Sequence, residues 1–179
     1  YLNSDPLTLG RIVRETVETR GQDYHSFPWT DLFDKIGIKT AVLETDAWGN
    51  FIMTGYDYLS ARDWARFGQL HLQDGMWGEQ RILPEGWSDF VSTPAPASAN
   101  LAYGGLFWLN AGGRYDRIPL DAYWPSGFMG QTTTIIPSRD MVIVRLGPSP
   151  GGFGPYLNKM VGDLLDAVGV PGDAGPERR

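Results

Sequence analysis

The sequence is 179 residues long, with 42% hydrophobic and 20% charged residues and a formal net charge of −6 at pH 7. Such a chain can form one sizeable core, and its composition is that of an ordinary globular domain. The acidic balance and the scattered lysines and arginines argue against a nucleic-acid partner or a membrane surface. The lack of cysteine excludes disulfides, thiolate metal sites and a cysteine nucleophile. No apolar stretch approaches the roughly 18 residues of a membrane span.

The N-terminal part of the chain is predicted to begin with helices. Asp5 and Pro6 suit the cap and first turn of a helix, which should stop at Gly21. A second, short helix is predicted over about 29–36. A β-like run follows at 40–45.

The clearest helix is predicted from Ser60 to about Asp74. Ser60 and Asp63 form a pair that resembles a capping box, which marks the start of a helix. Gly68 lies on the apolar stripe of this helix, where it would let another backbone come close. A third helix is predicted to open at Pro84 and to continue through Phe90.

The C-terminal part has the pattern of strands followed by a helix. Strands are predicted at 103–109, 121–124, 131–136 and 141–146, and a helix at 156–168. The last two strands are separated by a short Pro-Ser-Arg-Asp segment, which predicts an antiparallel hairpin. Helices, a strand meander and a terminal helix together predict an α+β fold, an antiparallel sheet flanked by helices.

One segment matches the nucleophile-elbow pattern G-x-S-x-G, at residues 147–151. The pattern is rejected because Pro150 follows the serine and has no backbone N–H to donate to an oxyanion. The required histidine is also missing after the serine, since His25 and His71 both precede it. The segment is therefore predicted to be a loop.

Other chemistries find no support in residue spacing. The two histidines lack the spacing of metal ligands, and no pair of carboxylates is recognisable as a glycosidase site. We therefore predict neither a metal nor a cofactor. The seven tryptophans allow an aromatic-rich carbohydrate-binding module as a rival from another class, although core or pocket packing explains most of them.

Three stretches of the chain together resemble the β-lactamase and penicillin-binding-protein superfamily of serine hydrolases. They are YLNSDPL at 1–7, LSARDWARFG at 59–68, and SGFMGQ at 126–131 followed by IPSRDMV at 136–142. The resemblance is strongest to class C β-lactamases, family VIII-type esterases, D-aminopeptidases and aminohexanoate-oligomer hydrolases. It covers nearly the whole chain and implies a β-lactamase/transpeptidase-like fold.

The resemblance implies roles for six residues. In such enzymes a serine of an S-x-x-K motif attacks an ester or amide carbonyl, and the lysine and the tyrosine of a Y-x-N motif move its proton. The residues that match the catalytic tyrosine and asparagine are Tyr1 and Asn3. Phe128, Met129 and Gly130 occupy the place of the K-T-G or H-x-G triplet in the substrate wall. The backbone N–H of Gln131 would complete the oxyanion hole.

Two departures from the family pattern matter. No S-x-x-K motif occurs in the chain, so we expect residues 1–170 to be the C-terminal portion of a β-lactamase-like domain whose Ser and Lys lie on an upstream segment. The isolated chain is then expected to be inactive and to expose apolar sheet surface. Phe128 replaces the Lys or His of penicillin-recognising members, which shifts the expected substrate to esters or small amides. Residues 171–179 are predicted to be a disordered tail.

The expected function is thus serine hydrolysis of a small-molecule ester or amide through an acyl-enzyme. The alternative is a non-catalytic member of the same fold that binds a peptide or a cell-wall ligand. Members of the superfamily are often periplasmic or secreted and some are cytoplasmic, so the resemblance leaves localisation open.

Overall fold

An antiparallel sheet organises the C-terminal part of the molecule, and helices pack on both of its faces. The computed structural model describes residues 2–149 and 153–169. The helices are α1 (Ser4–Thr19), α2 (Ala61–Leu72), α3 (Trp87–Ser92) and α4 (Gly154–Val168), with a π-helix at Trp29–Phe33 and 3₁₀ turns at Ala99–Leu101, Phe128–Gly130 and Pro137–Arg139. The strands are β1 (Val42–Leu43), β2 (Asp57–Tyr58), β3 (Met76–Trp77), β4 (Gln80–Arg81), β5 (Trp108–Leu109), β6 (Tyr123–Trp124), β7 (Ser126–Gly127), β8 (Gln131–Ile136) and β9 (Met141–Arg145).

The central strand of the main sheet is β8. It pairs along its length with β9, from Thr132 opposite Arg145 to Ile136 opposite Met141, which confirms the predicted hairpin. Both β6 and β7 also pair with β8, and β5 extends the sheet beyond β6. Pro125 separates β6 from β7, as expected for a residue that has no N–H to donate to a ladder.

Each face of this sheet is covered by a helix. On one face α2 packs closely at Gly68, where a Cβ atom would lie 2.5 Å from Val142 Cγ1. On the other face Leu157 and Val161 of α4 pack with Trp124 and Ile136. The predicted α+β architecture, an antiparallel sheet flanked by helices, is therefore confirmed.

The helix α2 begins as predicted, but Asp63 does more than cap it. The Ser60 hydroxyl accepts a hydrogen bond from the Asp63 N–H at 3.2 Å. The Asp63 carboxylate, 3% exposed, accepts from the N–H groups of Lys39 and Thr40 and from the Thr40 hydroxyl, and it pairs with Arg66. Burial alone would raise the pKa of Asp63, but these hydrogen bonds outweigh it and hold the pKa below its ordinary value.

Several predicted elements differ from the structure. The N-cap of α1 is Asn3 rather than Asp5, and α3 begins at Trp87 rather than at Pro84. The predicted strands 40–45 and 121–124 shorten to Val42–Leu43 and Tyr123–Trp124.

Only Trp108–Leu109 of the predicted strand 103–109 is a strand, because the Gly104 N–H bonds to the Phe107 carbonyl and Leu106 has a φ of 67°. The predicted helix at 29–36 is a π-helix of five residues. No described helix is long and apolar enough to cross a membrane.

Candidate functional site

An open cleft of about 480 Å³ lies where the sheet meets the start of α4. Its apolar surface is largely aromatic, and it is contributed by Trp108, Tyr115, Trp124, Phe128, Phe153 and Leu157. Three residues with hydroxyl groups, Ser126, Thr132 and Ser149, also line the cleft. Arg114 is the one charged residue among the described residues that line the cleft. The cleft thus combines an aromatic surface with a few polar groups, which is typical of small-molecule sites.

The turn between β7 and β8 forms one rim of the cleft. Phe128, Met129 and Gly130 all line the cleft, and the Phe128 side chain is 86% exposed. Met129 and Gly130 have φ values of 59° and 88°, so the chain reverses within this triplet. A Cβ atom at position 130 would lie 2.7 Å from Phe153 Cβ, and glycine is therefore required there. The extended residues of this rim are Ser126 and Gly127, not the triplet itself.

Arg145, the last residue of β9, fastens the rim turn to the segment that follows β9. Its guanidinium donates to the carbonyls of Gly130 at 3.0 Å and of Gly147, and to the Ser149 hydroxyl at 2.6 Å. The same group lies 4.4 Å from the centroid of the Phe153 ring, which is a cation–π geometry. Arg145 therefore fixes the position of the rim relative to the start of α4.

The side chain of Gln131 makes a second connection between the same two segments. Its Oε1 accepts from the Gly147 N–H at 2.7 Å, and its Nε2 donates to the Gly147 and Phe128 carbonyls at 3.1 and 3.2 Å. The family resemblance implied a role only for the backbone N–H of Gln131. The structure shows in addition that its side chain holds the first residue of β8 in place.

Replacing Arg145 by methionine should lower the free energy of unfolding by about 1–2 kcal/mol, because several half-buried carbonyl groups lose their charged donor. Methionine keeps an apolar stem beside Phe153, so the loss of stability measures the contribution of the guanidinium group. Urea unfolding measures the effect, and amide hydrogen exchange at Met129 and Gly130 should become faster. The matched control is Arg62→Met at an exposed site on α2, which should change stability by less than about 0.5 kcal/mol. Equal effects of the two substitutions would contradict the role of Arg145.

The loop that carries Arg114 and Tyr115 is held by the buried side chain of Asn110. Its Nδ2 donates to the carbonyls of Tyr115 and Ile118 at 2.9 and 2.7 Å, and its Oδ1 accepts from the Tyr115 N–H at 2.9 Å. Asn110 is 0% exposed, so no water can replace these partners. Neither Asn110 nor Arg145 was found by sequence reasoning. The only local signals in the sequence are an asparagine directly after an apolar strand and an arginine at the end of the run Met-Val-Ile-Val.

Of the two residues predicted to be catalytic, only Asn3 is described, and the described contacts do not bring it to the cleft. Tyr1 lies outside the described residues. Asn3 is exposed at the N-cap position of α1, and its side chain makes no capping hydrogen bond. Within residues 2–149 and 153–169, no hydrogen bond joins Asn3 to the rim segment 126–131. Their roles stay predictions.

The serine of the rejected G-x-S-x-G motif is Ser149. Ser149, which lines the cleft, donates its N–H to the Met129 carbonyl at 2.8 Å, while residues 150 and 151 of the motif are outside the described part of the chain.

His71 is buried between Phe67 and Phe107, and burial lowers its pKa to about 4. His25 bonds to the Gly49 carbonyl at 2.8 Å. The described residues contain no cluster of three His, Cys, Asp or Glu side chains suited to a metal. The predicted tail, 171–179, also lies outside the described residues.

Two solved structures have a similar fold. A protein described as a 6-aminohexanoate-dimer hydrolase from Bacillus anthracis is 23% identical, with a TM-score of 0.63 over 81% of this chain and 39% of that chain. A protein described as a β-lactamase from Bacteroides dorei DSM 17855 is 14% identical, with a TM-score of 0.58 over 83% of this chain and 53% of that chain. No family model matches the sequence, and no curated protein sequence matches it.

The chain therefore has a β-lactamase-like fold, as the resemblance implied. It spans about two fifths of the first of these chains and about half of the second.

Proposed function

We propose that this protein hydrolyses ester or amide bonds through a serine acyl-enzyme, with the serine and lysine of an S-x-x-K motif supplied by a segment upstream of Tyr1. The observation that carries the proposal is a β-lactamase-like fold in which the rim turn 128–130 and the start of β8 border an open aromatic cleft. The neighbours described as an aminohexanoate-dimer hydrolase and a β-lactamase support a hydrolase.

In this proposal Tyr1 and the upstream lysine accept the proton of the serine and pass it to the leaving group. A phenol ordinarily has a pKa near 10, so Tyr1 needs a neighbouring cation to act at neutral pH, and the lysine provides it. Asn3 bonds the lysine or the substrate carbonyl. The Gln131 N–H and the N–H of the serine stabilise the oxyanion of the tetrahedral intermediate.

The exposed ring of Phe128 at the rim supports an ester or a small amide as the substrate. A lysine or histidine in the triplet would offer a cation to a substrate carboxylate next to the scissile bond, and Phe128 offers none. The proposal therefore favours esters and small amides over β-lactams and peptidoglycan.

Replacing Tyr1 by phenylalanine in the full-length protein should reduce kcat for p-nitrophenyl esters by about 100-fold or more, because a positioned proton-transfer group typically contributes roughly 10²–10⁴-fold. The matched control is Tyr156→Phe, which removes the hydroxyl of an exposed tyrosine on α4 and should leave kcat unchanged. An active protein with unaltered kcat in Tyr1→Phe would exclude the proposed role of Tyr1. A folded full-length protein without turnover would favour the ligand-binding alternative.

A further inference from the structure

The lining of the cleft suits an aromatic group. The aromatic residues Trp108, Tyr115, Trp124 and Phe153 line it, and its volume of about 480 Å³ matches that of sites for small molecules. Tryptophan and tyrosine rings pack well against another ring in offset or edge-to-face geometry. An aromatic ligand would therefore gain contacts on several sides.

The charge at the cleft is positive although the chain as a whole carries −6. None of the described lining residues is Asp or Glu, and Arg114 places its guanidinium 5.3 Å from the centroid of the Tyr115 ring. Arg114 directly precedes Tyr115, whose backbone Asn110 fixes, so the Arg114 side chain starts from a fixed point beside the aromatic wall. An anionic group on the ligand would be attracted to this side of the cleft.

A buried hydroxyl without a partner adds a third feature. Thr132 and Thr134 of β8 are 4% and 0% exposed, and within residues 2–149 and 153–169 neither hydroxyl has a hydrogen-bond partner. Only Thr132 lines the cleft. Leaving a buried hydroxyl unpaired is costly, so a ligand acceptor next to Thr132 would supply a partner that the described protein groups do not.

From these three features we infer that the cleft binds an aromatic carboxylate. Its identification as part of the substrate rests on the proposed function. The ring lies between the aromatic walls, the negative charge faces Arg114, and the Thr132 hydroxyl donates to an acceptor oxygen of the ligand. The substrate class is thus an ester or amide that carries an anionic aromatic group away from the scissile bond.

Calorimetric titration of the full-length protein with 2-naphthoate tests this inference, with neutral 2-naphthamide as the matched ligand. We expect saturable binding of both, with 2-naphthoate bound about 3-fold more tightly because of Arg114. Arg114→Gln should remove this difference, while Arg62→Gln on α2 should keep it. Thr132→Val should weaken both ligands about 5-fold, whereas Thr134→Val should leave both affinities unchanged.

Absence of saturable binding would overturn the inference, as would equal effects of Thr132→Val and Thr134→Val or an unchanged preference in Arg114→Gln. Binding requires no nucleophile, so the two proposals can fail separately. A protein that binds 2-naphthoate as expected but hydrolyses no ester would retain the cleft assignment and contradict only the proposed hydrolase. A protein that hydrolyses esters but does not bind 2-naphthoate would retain the proposed hydrolase and contradict only the cleft assignment.

Discussion

Replacement of Asn110 by alanine is expected to lower the free energy of unfolding by about 3–4 kcal/mol. The Asn110 side chain is fully buried and bonds to the backbone of Tyr115, Ile118 and Pro119. Alanine leaves these groups without partners, and each unpaired buried group costs roughly 1–3 kcal/mol. The loss should be smaller than the sum because the loop can move toward water. That movement displaces Arg114 and Tyr115, so the affinity for 2-naphthoate should fall as well.

Urea unfolding measures this effect, and Asn3→Ala is the matched control. Asn3 is exposed and its side chain caps no helix N–H, so its replacement should change stability by less than about 0.5 kcal/mol. A loss below about 1 kcal/mol in Asn110→Ala would mean that contacts other than this amide determine the loop conformation.

His71→Leu is expected to make the protein less sensitive to acid. Burial lowers the folded-state pKa of His71 from 6.5 to about 4, so the unfolded chain binds more protons between these two values. Stability is therefore lost as the pH falls from about 6.5 to about 4, and this one residue accounts for about 3 kcal/mol of the loss. Leucine is an apolar side chain without a titrating group beside Phe67 and Phe107, and it also removes the Nδ1 atom, which has no partner in the described part of the chain.

The measurement is the free energy of unfolding of both proteins at pH 7 and pH 5. At pH 7 the His71→Leu variant should be about as stable as the parent protein, and at pH 5 it should be more stable by about 2 kcal/mol. His25→Gln keeps the buried His71 and should show the same loss at pH 5 as the parent. Parallel pH dependence in the parent and in His71→Leu would contradict the burial of a neutral imidazole.

Local sequence signals predicted the elements that local interactions stabilise. The start of α2 follows from the Ser60 cap, and the β8–β9 hairpin follows from two apolar runs joined by a short turn. The role of Asp63 could be predicted only in part. Its bond to the Ser60 hydroxyl is local, but its carboxylate binds the backbone at Lys39 and Thr40, which lies more than 20 residues away in sequence.

The prediction of a strand over all of 103–109 was wrong for a similar reason. Gly104 and Gly105 pack against the backbone of Val91 in α3, where a Cβ atom at Gly104 would collide with the Val91 carbonyl oxygen. That packing bends the chain away from the sheet, and an alternation pattern within the segment does not reveal it.

For the candidate site, the sequence motif indicated which residues to consider but not how they are positioned in space. The resemblance to the family predicted the triplet 128–130 as part of a substrate wall; the structure places it at the cleft, and its contact with a substrate stays a prediction. The residues that fix its position, Arg145 and the side chain of Gln131, act through contacts with the segment 147–149. Those contacts depend on how two loops meet in space, so no spacing in the sequence signals them.

The proposed serine acyl-enzyme can be detected by intact-mass spectrometry of the natural full-length protein after treatment with a fluorophosphonate. We expect a single covalent adduct, and peptide mapping should place it on the serine of an S-x-x-K motif outside residues 1–179. A folded full-length protein that forms no adduct, or one labelled at Ser149, would contradict the acyl-enzyme proposal.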